Sequence, residues 1–283
     1  MSMIPGIRNG LQARREAVDG ELLRLLPAGP SSLHEAVRYA VLSGGKRFRP
    51  LLLLCAGEGF GADGAELLPF GCAVELIHNY SLVHDDLPSM DNDDFRRGLP
   101  SCHKAYGEAV ALLAGDGLLN LAFEVMADAP APGGRPDRKE RAIREIGRAS
   151  GSRGMILGQW MDICIPAADM TAAVFEKIMR LKTGALITAA VKAGAILAGA
   201  SDPALEALEE YGRHVGQAFQ IRDDIMDAGA GKKASGPNCV HFYGREESVR
   251  SLREHVEAAA AALRRVPCAI PELECLASDL ALR

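Results

Sequence analysis

Residues 66–86 read ELLPFGCAVELIHNYSLVHDD, an apolar stretch that closes on two aspartates. Its apolar residues recur at helical spacing, and the pattern stops before Pro88, where helical geometry is disfavoured. The stretch therefore predicts a long buried helix whose last turn carries Asp85 and Asp86. That is an awkward place for them, because the helix dipole is negative there. The next residues worsen the crowding: HDDLPSMDNDDFRRG, 84–98, packs five carboxylates into ten positions before two arginines. Adjacent carboxylates raise one another's pKa unless a cation sits among them. Seen alone, such a charge run reads as a solvated loop.

The rest of the chain extends the helical reading. Ser32 and Glu35 form a capping-box pattern for a helix closing at Gly44-Gly45, and Pro50 can open the next one, RPLLLLCAGEGF. GEAVALLAGDGLLNLAFEVMADA predicts one long apolar helix or two, and PAPGGRPD at 130–137 a loop. Helical patterns resume over 138–162, 171–200, 203–227 and 246–264, with a short one near the end. Alternating strand patterns and repeats of 20–50 residues are absent. The expectation is an all-α fold in a single domain, 1–283.

Composition narrows the class. A length of 283 residues and a formal charge of -5 suit a globular chain with no nucleic-acid partner. No uninterrupted apolar run approaches the roughly 18 residues of a membrane span, and the first twenty residues lack a signal-peptide core. The seven cysteines are scattered, with no C-x-x-C pair and no zinc spacing; they read as buried thiols of a reducing cytoplasm.

A second cluster repeats the first oddity. In GQAFQIRDDIMDAGAG, Asp223, Asp224 and Asp227 end another apolar helix, with Asp223 and Asp227 four residues apart on one face. Hard divalent cations give two acidic helix ends a purpose, since magnesium takes oxygen ligands and joins one or two carboxylates to substrate phosphates. Phosphate-binding groups are present too. GGKRFRP sets Lys46, Arg47 and Arg49 after a double glycine, Arg96 and Arg97 follow the first acidic cluster, and Lys182 stands in RLKTGALI.

With these residues the chain resembles the trans-prenyl diphosphate synthases. GGKRFRP, ELIHNYSLVHDDLPSMDNDDFRRG, GDGLL, GQWMD, KTGAL and GQAFQIRDDIMD stand in that family's order, from about residue 30 to 230 and weakly beyond. The resemblance implies long antiparallel helices around a deep central cavity, in a homodimer. It also implies head-to-tail condensation of an allylic diphosphate (dimethylallyl or geranyl) with isopentenyl diphosphate. By the family pattern Asp85, Asp86, Asp91 and Asp223 bind magnesium directly, three ions per site with manganese able to substitute. Asp224 and Asp227 complete the second site through water. Arg96, Lys182 and Lys232 hold the allylic diphosphate, and Lys46, Arg49, His78 and Arg97 the isopentenyl diphosphate. Thr183, Gln220 and the carbonyl of Lys182 stabilise the carbocation. Gln159 and Asp162 face the same pocket, with Asp162 supporting Lys182, and the departing pyrophosphate removes the final proton. His84 reads as structural, Trp160 as packing, Asp93 and Asp94 as solvated charge, and Asp116 as support near the cavity mouth.

Tyr80 lies five residues before Asp85, about 7–8 Å deeper along the helix, with Ser81 beside it. A tyrosine there resembles bacterial farnesyl diphosphate synthases, so farnesyl diphosphate is the expected product and geranylgeranyl diphosphate the alternative. Two rivals are a non-catalytic partner subunit, which usually lacks one aspartate motif, and a terpene cyclase, which has no need of a second diphosphate site at GGKRFRP. The chain departs from the family at AGAGKKASGPNCVHFYGREES, 228–248. Gly231 and Lys232 fit, but a later aspartate and lysine are missing. Lys232 and Lys233 are expected to carry closure of a loop that is mobile without ligand.

Overall fold

One helix, Ala185–Ala198 (α10 below), shows how the fold is built: nearly every residue from Leu186 to Leu197 is buried. A helix apolar all round must be covered all round, and this one is packed by helices on several sides. A computed structural model describes residues 5–229 and 238–281. In chain order its helices are α1 (Pro5–Leu25), α2 (Ser32–Leu42), α3 (Phe48–Gly59), α4 (Gly64–Asp85), α5 (Cys102–Tyr106), α6 (Glu108–Asp128) and α7 (Pro136–Ser150). After them come α8 (Met155–Cys164), α9 (Ala172–Met179), α10, α11 (Asp202–Gly229), α12 (Cys239–Tyr243), α13 (Arg245–Leu263) and α14 (Pro271–Ser278). A two-residue antiparallel ladder, β1 (Phe95–Arg96) with β2 (Leu99–Pro100), is the one sheet among the described residues. α10 packs against α3, α7 and α11, α4 against α3 and α6, and α11 against α13. The all-α expectation holds.

Local details differ from the sequence reading in instructive ways. The cap of α2 is Ser31, whose side chain accepts from the His34 amide, one residue before the expected Ser32. α3 opens at Phe48 rather than Pro50, so the proline sits within its first turn. GEAVALLAGDGLLNLAFEVMADA is one helix, and Gly151–Gly154 break the expected 138–162 helix into α7 and α8. α1 was not anticipated. Its buried stripe of Leu11, Val18 and Leu22 is sparse, and ion pairs of Arg14 with Glu58 and Asp19 with Arg47 tie it down.

Two segments, α6 and the continuous Ala172–Ala198, are long and apolar enough by length and composition to cross a membrane. This corrects the expectation that none approached that length, which rested on uninterrupted apolar runs, whereas averaged hydropathy tolerates scattered polar residues. The longer segment is mostly buried in the bundle, as a core helix is. Most of α6 is not, and Leu112 and Leu113 stand at the surface. Of the cysteines, Cys55, Cys72, Cys102, Cys239 and Cys275 are buried, as read from the sequence, but Cys164 is exposed.

Candidate active site

The C-terminal part of α4, the loop before α3, α8, the turn between α9 and α10, and α11 enclose one cavity of about 1040 Å³. That is at the upper end of the range for small-molecule sites. Asp85 and Asp223, the first aspartate of each acidic helix end, both line it. So do Lys46, Arg49, His78, Arg96, Arg97, Gln159, Lys182, Thr183 and Gln220, residues scattered over most of the sequence.

At the end of α4 the two neighbouring aspartates part company. Asp85 borders the cavity, and burial pushes its carboxyl up to about 7, opposed by Lys182 and reinforced by Asp91. Asp86, expected as a direct metal ligand, is 2% exposed and does not line the cavity. Its carboxylate accepts from Arg96 Nε at 3.0 Å and from Arg96 Nη2. Successive helical residues point about 100° apart, so one cannot follow the other. Asp91 is exposed and not part of the cavity lining, its amide bonded to the Asp85 carbonyl at 2.9 Å. Burial raises its carboxyl too, against the pull of Lys182. Asp93 and Asp94 are exposed but not simply solvated: Asp93 lies 3.2 Å from Arg96 and Asp94 2.8 Å from Lys104. His84 lines the cavity, its Nε2 3.0 Å from the Leu112 carbonyl, with Asp116 3.8 Å away.

Lys182 and Thr183 sit on a π-helical turn, Arg180–Gly184, inserted between α9 and α10. Such turns are rare and concentrate at functional sites. The turn lies so close to α8 that a Cβ on Gly158 would fall 2.2 Å from the Lys182 amide nitrogen. Lys182 Nζ donates to Asp162 Oδ2 at 2.7 Å. Burial opposes its charge, but Asp162 and Asp85 hold its pKa above the ordinary lysine value. Thr183 Oγ1 donates to Gln220 Oε1 at 2.9 Å, and Gln220 Nε2 donates to Asp224 Oδ1 at 2.9 Å. Gln159 lines the cavity with both amide atoms buried and unpartnered. Such a group calls for a polar ligand.

The end of α11 repeats the division seen in α4. Asp223 borders the cavity, its carboxyl raised by burial against the charges of Lys46 and Arg222. Asp224 is buried at 9% exposure and does not line the cavity. It accepts from Gln220 and from the Cys239 amide at 2.8 Å. These contacts tie Asp224 to the start of α12. Asp227 is exposed. Lys232 and Lys233, with the expected mobility of their loop, lie outside the described residues.

The cavity is also lined by a basic group, of which Lys46 and Arg49 interact with Asp223. Gly44 and Gly45 have φ of 91° and 150°, and a Cβ on Gly45 would meet both Arg97 and Arg47 within 3.2 Å. The double glycine thus makes room for two guanidinium groups. Lys46 Nζ stands 5.7 Å from the Phe219 ring centre. Arg49 Nε is buried without a partner, and burial lowers its pKa to about 10 despite Glu75 and Asp223. His78 is held well below its ordinary value by burial and by Arg49 and Arg97, hence neutral. Arg97 donates to the Gly44 carbonyl and to Ser43 Oγ. Arg47, which the sequence grouped with the phosphate binders, is instead 3% exposed and paired with Glu75 at 2.9 Å. Glu75 and Asn79, both buried, were not singled out in the sequence because a lone acid or amide in an apolar helix carries no periodic signal.

Tyr80 and Ser81 also line the cavity, and Tyr80 is 6% exposed with its ring edge-on to His84 at 5.6 Å. Trp160, expected as packing, is 57% exposed and lines the cavity with Ile156 and Ile163 of α8. Among the described residues no three carboxylate, imidazole or thiol groups converge into a ready-made metal centre. The cavity does offer oxygen donors from both acidic ends, Asp85 and Asp223. That suits a hard divalent ion, which needs only one or two carboxylates when phosphate oxygens complete its shell.

Comparison with known proteins agrees with this geometry. The chain is 43% identical over 270 residues to farnesyl diphosphate synthase of Geobacillus stearothermophilus, covering 90% of each. It is 40% identical to chloroplastic geranylgeranyl pyrophosphate synthase 9 of Arabidopsis thaliana, covering 90% of this chain and 75% of the relative. The crystal structure of an FPP/GFPP synthase from Zymomonas mobilis superposes with a TM-score of 0.89 at 33% identity, covering 98% of this chain and 99% of that one. The profile described as Polyprenyl synthetase matches residues 30–240, and the chain belongs to that family.

Proposed function

We propose that this protein is a metal-dependent prenyltransferase that condenses isopentenyl diphosphate head-to-tail with allylic diphosphates, making farnesyl diphosphate. The observation that carries this is the layout of one cavity: two acidic helix ends share it with a basic group of Lys46, Arg49 and Arg97. A site for one diphosphate needs only the first; room for a second, metal-free diphosphate is what condensation requires and a cyclase does not.

Asp85 and Asp223, joined by Asp91 and Asp227, would hold magnesium, which would supply Lewis-acid stabilisation to the leaving diphosphate. Lys182 adds a fixed positive charge, oriented by Asp162. Arg96 borders the same space while tethered by Asp86. Lys46, Arg49, Arg97 and neutral His78 hold isopentenyl diphosphate, and Gln159 offers an unsatisfied amide. Departure of pyrophosphate leaves an allylic cation, which a strong nucleophile would trap. The Thr183 proton is committed to Gln220, so its oxygen presents lone pairs to the cation without attacking it. The double bond of isopentenyl diphosphate attacks the cation, a carbon–carbon bond forms, and the released pyrophosphate takes the proton.

Tyr80 supports a fifteen-carbon limit, since its buried ring closes part of the wall five residues before Asp85. The chain works as one domain and as a cytoplasmic homodimer in this proposal. Leu112 and Leu113 of α6, exposed on a helix that is mostly apolar, support the pairing. The test is incubation of the purified protein with dimethylallyl and isopentenyl diphosphates and magnesium. Farnesyl diphosphate is the expected product; twenty-carbon product moves the assignment to geranylgeranyl diphosphate, and no product favours a partner subunit.

A further inference from the structure

Glu75 lines the cavity among its basic residues, and it is 2% exposed. A carboxylate beside an anion site is unfavourable unless it organises the cations there. Its Oε1 accepts from Arg47 Nη1 at 2.9 Å and from Asn79 Nδ2 at 3.4 Å. Asn79, 1% exposed, also donates to the Glu75 carbonyl at 2.8 Å and presents Oδ1 to Arg97 Nη1 at 3.5 Å. Arg47 donates its remaining groups to the Val41 carbonyl and to Asp19. A chain of contacts therefore runs from Glu75 both to the turn that carries Lys46 and Arg49 and to the guanidinium of Arg97.

Backbone geometry is a second, independent observation. Arg47 and Arg97 have φ of 49° and 55°, and the only other described non-glycine residue with positive φ is Asn92. Residues persist in that region when their surroundings over-determine them, and they cluster at ligand sites. Both strained arginines are tied to Glu75, one directly and one through Asn79. Glu75 is also the largest favourable charge acting on Arg47, Arg49 and Arg97 alike. A buried ion pair is a poor choice for stability alone, since apolar residues of like volume serve as well or better.

We propose that Glu75 is a positioning residue for the diphosphate that binds without metal. Through Arg47 and Asn79 it fixes the Gly44–Arg49 turn and the Arg97 guanidinium before isopentenyl diphosphate arrives. This rests on the function proposed above. Glu75→Gln keeps the shape and an accepting oxygen but removes the charge. Its KM for isopentenyl diphosphate should rise about tenfold, the scale of one lost charge-assisted hydrogen bond. The allylic KM should change less than about twofold. In the double variant with Arg97→Lys the effects should fall well short of multiplying, because Glu75 acts through Arg97. Should Glu75→Gln not fold, Asn79→Ala offers the same split between the two KM values. An unchanged isopentenyl KM, equal rises for both substrates, or fully multiplicative effects overturn the proposal. A wild type that makes no prenyl product instead overturns the functional proposal. Calorimetry of isopentenyl diphosphate with wild type and Glu75→Gln then decides: weaker binding by the variant supports positioning, and equal binding or none overturns it.

Discussion

The ends of α4 and α11 carry the same dipeptide and divide its labour alike, yet by opposite chemistry. In both, the first aspartate borders the cavity and the second is buried as an anchor. Asp86 is anchored by a permanent cation, Arg96, from the loop that follows its own helix. Asp224 is anchored by neutral donors, the Gln220 amide and the Cys239 backbone. The first end therefore spends its buried charge holding a basic side chain at the cavity. The second spends it orienting the amide that holds Thr183. A repeated acidic motif thus gives two cavity-facing carboxylates, each beside a buried one with partners suited to its neighbours.

Breaking the cavity-lining members should have the largest effect. Asp85→Asn and Asp223→Asn should each lower turnover by at least about 10³-fold, a loss on the scale of removing transition-state electrostatic stabilisation. Far-ultraviolet circular dichroism should be unchanged, and chelation should abolish turnover reversibly in the wild type. Normal turnover in excess chelator would remove metal from the mechanism.

The buried members should cost less. Asp86→Asn and Asp224→Asn act through their partners, and losses of about 10–100-fold are expected, as for groups that orient ligands. The two should differ in kind. Asp86→Asn frees Arg96 and should raise the allylic KM. Asp224→Asn loosens Gln220 and should lower kcat, with KM nearly unchanged. Identical kinetic signatures would erase the distinction drawn between the two ends.

Tyr80→Ala should shift products from fifteen carbons towards twenty or more, because each further buried methylene gains about 0.8 kcal/mol. Chromatography of extracted, dephosphorylated products reads this directly, and an unchanged spectrum would show that another residue limits growth.

The smallest effect is on stability, and its sign is opposite to that on activity. Asp85 titrates at about 7 in the folded chain, mainly because it is buried. An unfolded aspartate titrates near 4. The folded state thus binds the extra proton, and the ionised carboxylate destabilises it increasingly as pH rises from about 4 to 7. In chelator at pH 8, Asp85→Asn should therefore melt higher than wild type, by about 2–4 °C for each kcal/mol relieved. The gain should vanish at pH 4. A variant melting lower at pH 8 would mean that Asp85 is already compensated without metal.

The sequence by itself determined the helical class, the two acidic helix ends and the basic segments around them. Apolar periodicity, caps and breakers act over a few residues, and the string of letters carries them in full. Its errors at Ser31, Phe48 and Gly151–Gly154 are shifts of boundary rather than of kind. Only the tertiary structure decided which aspartate of each pair meets the cavity and which is buried. The same holds for the burial of Arg47 against Glu75, the π-helical turn under Lys182, and Trp160 at the cavity wall instead of in the core. The reason is that a polar group's role follows from its partner, and these partners lie far along the chain. Arg47 and Glu75 are 28 residues apart, and Asp224 and Cys239 are 15 apart. No local pattern records such a meeting, because burial and pairing are set by how helices pack, and packing exists only once the chain has folded.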